Sequence, residues 1–554
     1  MTRSERSIIC FVLLFMAAVS SAAAADISIG IERSASGTCR IEVRILGDDD
    51  GRTEIRLPNE WGGQRELYRA VKNLTVAGAD AKIVDSAEPH IKTIIHKPSE
   101  PITLTYDLVQ DFPGKLKNSV RYRPVVSDEH IHWIGSTVWV LPAWEDTKPL
   151  DIELEWKGLP ESWSVANSFS FQKRKVRFKR DIQSLRSSIW VAGDFRMVGS
   201  SANGKSVYLA VRGEWKFSDN ELGDIVGRMI EAQRSFWNDD SRDHYLVTLV
   251  PIFEGPNALS LGGTGLRDSF SLFATENATI GRLRSILAHE YAHNWIPGKL
   301  GRMPKDERSM YWFSEGFTEY YTHLLLFRAG LITREELIGE YNALIQEYYL
   351  SPVRTEPNER IIRDFWSDQT VQRLPYLRGF LLALNWNAAI RNSSDGKRSL
   401  DDVMFELFRT SENGTRELSP SLLTGQISKR LGKDISGEFD RQINNGKLMV
   451  PAADALGNDL ELRTDEMRVF ELGFDIQHLL KEKEFIGIKE NTAAFDAGIR
   501  NGQKLVGGIS VSLGDTSKEV ALTVSDADGT KAVSYLPIAR ERLAVPQFVK
   551  KQGR

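Results

Sequence analysis

The chain has 554 residues, 41% hydrophobic and 26% charged, with a formal net charge of −4 at neutral pH. That length is more than one ordinary domain requires and can bury several cores. Its 71 basic residues against 75 acidic ones, with no long basic run, exclude the electrostatic footprint of a nucleic-acid-binding protein.

Residues 1–25 read as a secretory signal. Arg3 and Arg6 precede an apolar stretch from Ile8 to Val19, and Ala23-Ala24-Ala25 offers small residues for cleavage. The stretch is too short to cross a bilayer and no run of about 20 apolar residues follows, so the expectation is an exported protein, periplasmic or secreted, with no membrane span in the mature chain. Cys10 lies in that signal, which leaves Cys39 without an intrachain partner. An exported chain without disulfides must hold its fold by core burial.

Residues 26–213 alternate short apolar-polar runs with turn residues, as in Ile41-Glu42-Val43-Arg44-Ile45 and Val207-Tyr208-Leu209-Ala210-Val211. Period-two alternation predicts half-buried strands and a β-rich N-terminal domain. His130 and His132 share one face of such a strand, with no third ligand in view, and read as packed or surface histidines. At Ser218-Asp219-Asn220-Glu221 a capping box opens a helix and begins an α/β section over 214–335. A further box at Thr333-Arg334-Glu335-Glu336 leads into a helical part over 336–458, and 459–554 returns to short strands. The fold class read from this order is multidomain α+β.

The chemistry is concentrated in the α/β section. Ile280, Leu283, Ile286, Leu287 and Tyr291 recur at helical spacing before Pro297-Gly298, so His289-Glu290-Tyr291-Ala292-His293 lies on a helix. Positions i and i+4 share a face, which lets His289 and His293 aim at one ion while Glu290 projects beside it. A hydrolytic zinc takes three protein ligands and keeps one position open. Glu315, in the first turns of a second helix predicted from Trp312 to Leu326, is the expected third ligand of one zinc per chain. Glu319, four residues on and on the same face, is placed to accept a hydrogen bond from the other nitrogen of a ligating imidazole. Glu290 is then the general base for water.

The pair His-Glu-x-x-His and Trp312-Phe313-Ser314-Glu315-Gly316-Phe317-Thr318-Glu319-Tyr320-Tyr321 resembles the gluzincin metallopeptidases, specifically the glycyl aminopeptidase family. Leu324 to Leu331, Pro375-Tyr376-Leu377-Arg378-Gly379 and Ser399 to Met404 continue the likeness. The resemblance implies a thermolysin-like zinc peptidase domain acting on peptides or proteins, with Tyr376 donating to the tetrahedral oxyanion. Residues 472–476 and 487–502 resemble a PDZ domain, with Gln503 where an aspartate is usual. That resemblance implies a peptide-binding C-terminal domain over 459–554.

The chain departs from the family at Gly262-Gly263-Thr264-Gly265-Leu266-Arg267, where the family's Gly-Gly-Leu-Glu-His strand grips a substrate's amino terminus with its glutamate. Arg267 stands at that position and would repel an ammonium. Gly263 and Gly265 suit a substrate backbone laid along an edge strand, or equally a glycine-rich bulge. Three readings stay open: an aminopeptidase, an endopeptidase or dipeptide-releasing enzyme whose Arg267 receives a carboxylate, and a silent zinc-retaining peptide-binding scaffold. The sequence carries no signal for the oligomeric state.

Overall fold

The computed structural model describes residues 25–551 except 35–36, 203, 242, 256–257 and 513. Residues 1–24 of the segment predicted to be a secretory signal therefore lie outside the described residues. The chain divides into two compact units: 1–196 with 266–268, and 197–265 with 269–554.

The first unit is built from strands. A six-stranded sheet runs in the order Lys175–Arg180, Leu150–Lys157, Ile27–Ser34, Thr38–Leu46, Pro101–Val109, Val71–Ala77. Ile27–Ser34 pairs antiparallel with Thr38–Leu46 and parallel with Leu150–Lys157. The alternation seen in the sequence is the reason: Ile27, Ile29 and Ile31, Ile41 and Val43, and Ile102, Leu104 and Tyr106 are all buried. The core they enter also holds Trp133, Trp139, Trp156 and Trp190, with Trp133 stacked on Trp156 at 5.7 Å. Cys39 is buried in it, and burial pushes its thiol up to about 12, so it is inert. His132 is buried in the strand His130–Ile134, and burial pulls its imidazole down to about 3, so it stays neutral at any ordinary pH.

The second unit begins earlier than the strand pattern suggests. Strands Arg196–Ala202 and Lys205–Val211 leave the β-rich region and join His244–Pro251, Ser269–Ala274 and Leu261–Leu266 in one five-stranded sheet. Lys205–Val211 and Ser269–Ala274 both pair parallel with His244–Pro251, which alternation alone cannot reveal. Five helices matter for the site: α1 (Asp219–Trp237), α2 (Ile280–Ala292), α3 (Gly316–Arg328), α4 (Arg334–Leu350) and α5 (Gln369–Ser393). Ser218 caps α1 by accepting from the Glu221 N–H, and the capping box of Thr333 and Glu336 opens α4. The helix predicted from Trp312 is read as two pieces, Tyr311–Ser314 and α3, with Glu315 at the junction. Its backbone bonds continue through the junction, since Glu315 N–H reaches the Tyr311 carbonyl and Glu319 N–H reaches that of Glu315.

Residues 460–550 do not stand wholly apart. Leu460–Phe470 and Ile538–Lys550 form an antiparallel ribbon whose Leu460, Val545 and Phe548 enter the same core as the site helices. Between the ribbon strands lie a three-stranded antiparallel sheet and the short helices Ile476–Glu482 and Ala493–Asp496, with their own core around Leu479, Phe485 and Val520. Gln503 there accepts from the Arg500 N–H and donates to Asp526. Among the described residues, no helix is long and apolar enough to cross a membrane.

Candidate metal centre

The site is assembled where α3 crosses α5. A Cβ added at Gly379 would stand 1.7 Å from the Trp312 carbonyl oxygen, and one at Gly316 would stand 2.3 Å from the Gly379 Cα. Only a glycine at each position allows this backbone-to-backbone approach. Glu315 immediately precedes Gly316 and Tyr376 lies one turn before Gly379, so the crossing brings the carboxylate and the phenol to the same place. His289 on α2 and His293, the residue at its C-terminal cap, face them from successive turns.

His289, His293 and Glu315 offer one donor atom each, all within 4.8 Å of one another. The Nε2 atoms of His289 and His293 both lie 3.4 Å from Glu315 Oε2. For hydrogen bonds these separations are long. Two donors each about 2.1 Å from a zinc ion and spread at the tetrahedral angle lie about 3.4 Å apart, so each histidine–Glu315 pair has the edge length of a zinc coordination shell. The outer nitrogens are also suitably occupied. His289 Nδ1 lies 3.0 Å from Glu319 Oε2, and His293 Nδ1 lies 2.7 Å from the Ile296 carbonyl oxygen. Donating Nδ1–H outward directs the Nε2 lone pairs inward, the arrangement that orients ligating histidines.

Charge follows the same geometry. Burial pulls the His289 imidazole down, but Glu315 and Glu319 outweigh it and hold its proton up to about 10. Burial also opposes ionisation of Glu315 and Glu319, yet the neighbouring imidazoles keep both well below the usual carboxylate range. Glu290 moves the other way: burial raises it, partly offset by His293, His289 and a bond from the Gly265 N–H. Burial, then the charges of Glu315 and Glu290, hold Tyr376 well above an ordinary phenol, so it remains a hydrogen-bond donor. Its ring stacks on His289 at 5.8 Å. A cleft of about 870 Å³ opens here, lined by His289, Glu290, Glu319, Arg373 and Tyr376 among others.

The metal triad competes with a proton, which makes a measurable prediction. Binding zinc requires neutral His289, whose raised pKa means the proton is present throughout the neutral range. Below about pH 10, the apparent zinc affinity should therefore rise about tenfold per pH unit from this one group, with proton release on binding. In the metal-free protein the same protonated imidazole contributes stability that is complete below about pH 6.5 and is lost as pH climbs through about 10. Chelator competition at pH 6.5, 7.5 and 8.5 in weak buffer reads both affinity and proton release, and a pH-independent affinity would contradict it.

The glycine strand has two roles. At Gly263 a Cβ would meet the Phe270 ring at 2.2 Å, so packing within the sheet already demands glycine there. Gly265 turns its N–H to Glu290, a link to the base that no sequence pattern announces. Arg267 is in the first unit, where its guanidinium donates to Ser184 Oγ at 2.9 Å and pairs with Asp181 at 3.3 Å. Asp181 also caps the short helix Ile182–Arg186. Sequence reasoning missed His323 and Arg373, both facing Glu319, at 3.6 and 3.8 Å. The one available signal was spacing: His323 follows Glu319 by a turn, and Arg373 precedes Tyr376 by three residues.

Residues 282–367 match the family described as M61 glycyl aminopeptidase. That segment contains His289, Glu290, His293, Glu315 and Glu319. The chain is similar in fold to an aminopeptidase N family protein from Idiomarina loihiensis, with a TM-score of 0.71 and 16% identity over 95% of this chain and 98% of that one. A more distant likeness is to the M1 zinc metallopeptidase from Deinococcus radiodurans, with a TM-score of 0.46 and 15% identity over 77% and 94% of the two chains. No curated protein matches the chain. The family match and the ligand geometry together support a zinc metallopeptidase.

Proposed function

We propose, from a segment of M61 glycyl aminopeptidase type with its ligand triad in place, that the chain is an exported zinc peptidase that removes residues from the amino terminus of peptides. The observation that carries this reading is the 3.4 Å distance of each of two imidazoles from one carboxylate, beside a second, burial-raised carboxylate. His289, His293 and Glu315 would hold a zinc ion, which when bound would supply Lewis acidity towards water and a scissile carbonyl. Glu290 takes the proton of the attacking water and passes it to the leaving amine, work for which a carboxyl of raised pKa is suited. Tyr376 donates to the carbonyl oxygen as it becomes negative. Glu319 fixes the orientation of His289. No covalent bond between chain and substrate is required.

Export rests on the signal read at 1–25, and a peptide-binding role for the C-terminal module rests on its PDZ-like residues. Arg267 gives little support to a carboxylate-docking endopeptidase, because Asp181 already offsets its charge. Matched peptides with a free or an acetylated amino terminus test the choice. The aminopeptidase reading expects the free form to be cleaved about a hundredfold faster, since a site built for a polar group rejects the analogue that lacks it. Equal rates, or internal cleavage of the acetylated peptide, would replace it with the endopeptidase reading.

A further inference from the structure

Arg373 is held more tightly than a surface cation on a cleft wall needs to be. Its Nε and Nη2 donate to the two carboxylate oxygens of Glu347 at 2.8 and 3.0 Å, a paired fork from α5 to α4. Nη2 also faces Glu319 Oε1 at 3.8 Å, and the guanidinium carbon sits 5.2 Å from the centre of the Tyr376 ring. Residues three apart on a helix share a face, and a cation over an aromatic ring is attracted by its quadrupole. Arg373 thus connects α4, α3 and α5 at the point from which the Tyr376 ring projects. The Glu347 pair is half-exposed, with side-chain exposures of 36% and 45%, so its contribution to overall stability is small. Its geometric effect is not small, because a phenol donor works only when its hydroxyl meets the oxygen that becomes charged.

We propose that Arg373, clamped by Glu347, is a positioning residue that sets the orientation of Tyr376 for hydrolysis; this rests on the peptidase reading above. Among the described residues the ring meets the His289 imidazole and the Arg373 guanidinium, while its hydroxyl bonds to Glu315. His289 is anchored through its own partners, whereas Arg373 is anchored through Glu347. Releasing Glu347 therefore loosens the tyrosine without touching a zinc ligand.

The test uses the zinc-loaded full chain with Arg373→Met, Arg373→Lys, Glu347→Gln, Tyr376→Phe and the double variant Arg373→Met with Tyr376→Phe. Tyr376→Phe should lower kcat about a hundredfold, as loss of an oxyanion donor does. Arg373→Met should lower kcat about tenfold with KM within about twofold and zinc content unchanged, the signature of a misplaced transition-state contact. Arg373→Lys keeps the charge but not the fork and should fall between, as should Glu347→Gln. The deciding result is the double variant, which should be no slower than Tyr376→Phe alone, because the arginine acts through the ring. Multiplying losses in the double variant, or full kcat in both Arg373→Lys and Glu347→Gln, would overturn the positioning role. Full activity of Tyr376→Phe would remove the tyrosine from the mechanism itself, a different failure read by a different variant.

Discussion

Replacing Glu290 by glutamine is expected to lower kcat/KM by about a thousandfold while zinc content stays at one per chain. The substitution keeps the shape of the side chain and an oxygen able to accept the Gly265 N–H, but an amide cannot take a proton from water. General acid–base groups contribute about 10² to 10⁴ in rate, and among the described residues the other carboxylates at the triad, Glu315 and Glu319, are already engaged by imidazoles. Glu315 and Glu319 are held ionised by their imidazole partners and committed to them. Zinc is retained because all three donors remain. Rates on an unblocked peptide, with zinc measured by atomic emission on the same sample, decide the matter. Activity within a few-fold of the parent would remove Glu290 from the base role, and loss of zinc would make it structural instead.

The second large effect is expected from Glu315→Ala. Each histidine Nε2 is 3.4 Å from the same Glu315 oxygen, so deleting that carboxylate removes one corner of the triad and leaves a two-point grip. A change that alters only the partner of a ligand typically weakens binding about 10 to 100-fold, and loss of the ligand itself should do more. Zinc should fall from about one per chain to under about a tenth after dialysis, and hydrolysis should go with it. The fold should survive, because the crossing of α3 and α5 depends on Gly316 and Gly379, not on the carboxylate. Full zinc occupancy in this variant would exclude Glu315 as a ligand.

The His289-Glu290-His293 arrangement is local: a helical repeat sets which side chains share a face, and Glu315 and Glu319 are related by the same rule one helix later. Alternating strands at Ile27–Ser34 and Thr38–Leu46 were legible for the same reason, since a period of two needs only neighbouring residues. The limit of the first unit was not, because Lys205–Val211 alternates like its predecessors while its parallel partner His244–Pro251 lies beyond α1.

The chemistry of the site is legible in the chain: two imidazoles at helical spacing with a carboxylate between them, and two further carboxylates, Glu315 and Glu319, at the same spacing on a later helix. How those groups meet depends on packing between elements. Gly316 packs on Gly379 across 63 residues of chain, Gly265 turns its N–H to Glu290 from an edge strand, Arg267 pairs with Asp181, and Glu347 anchors Arg373 against Tyr376. Periodicity records which face a residue occupies within its own helix or strand. Contacts between elements far apart in sequence follow from packing, and packing is settled only when the whole core closes.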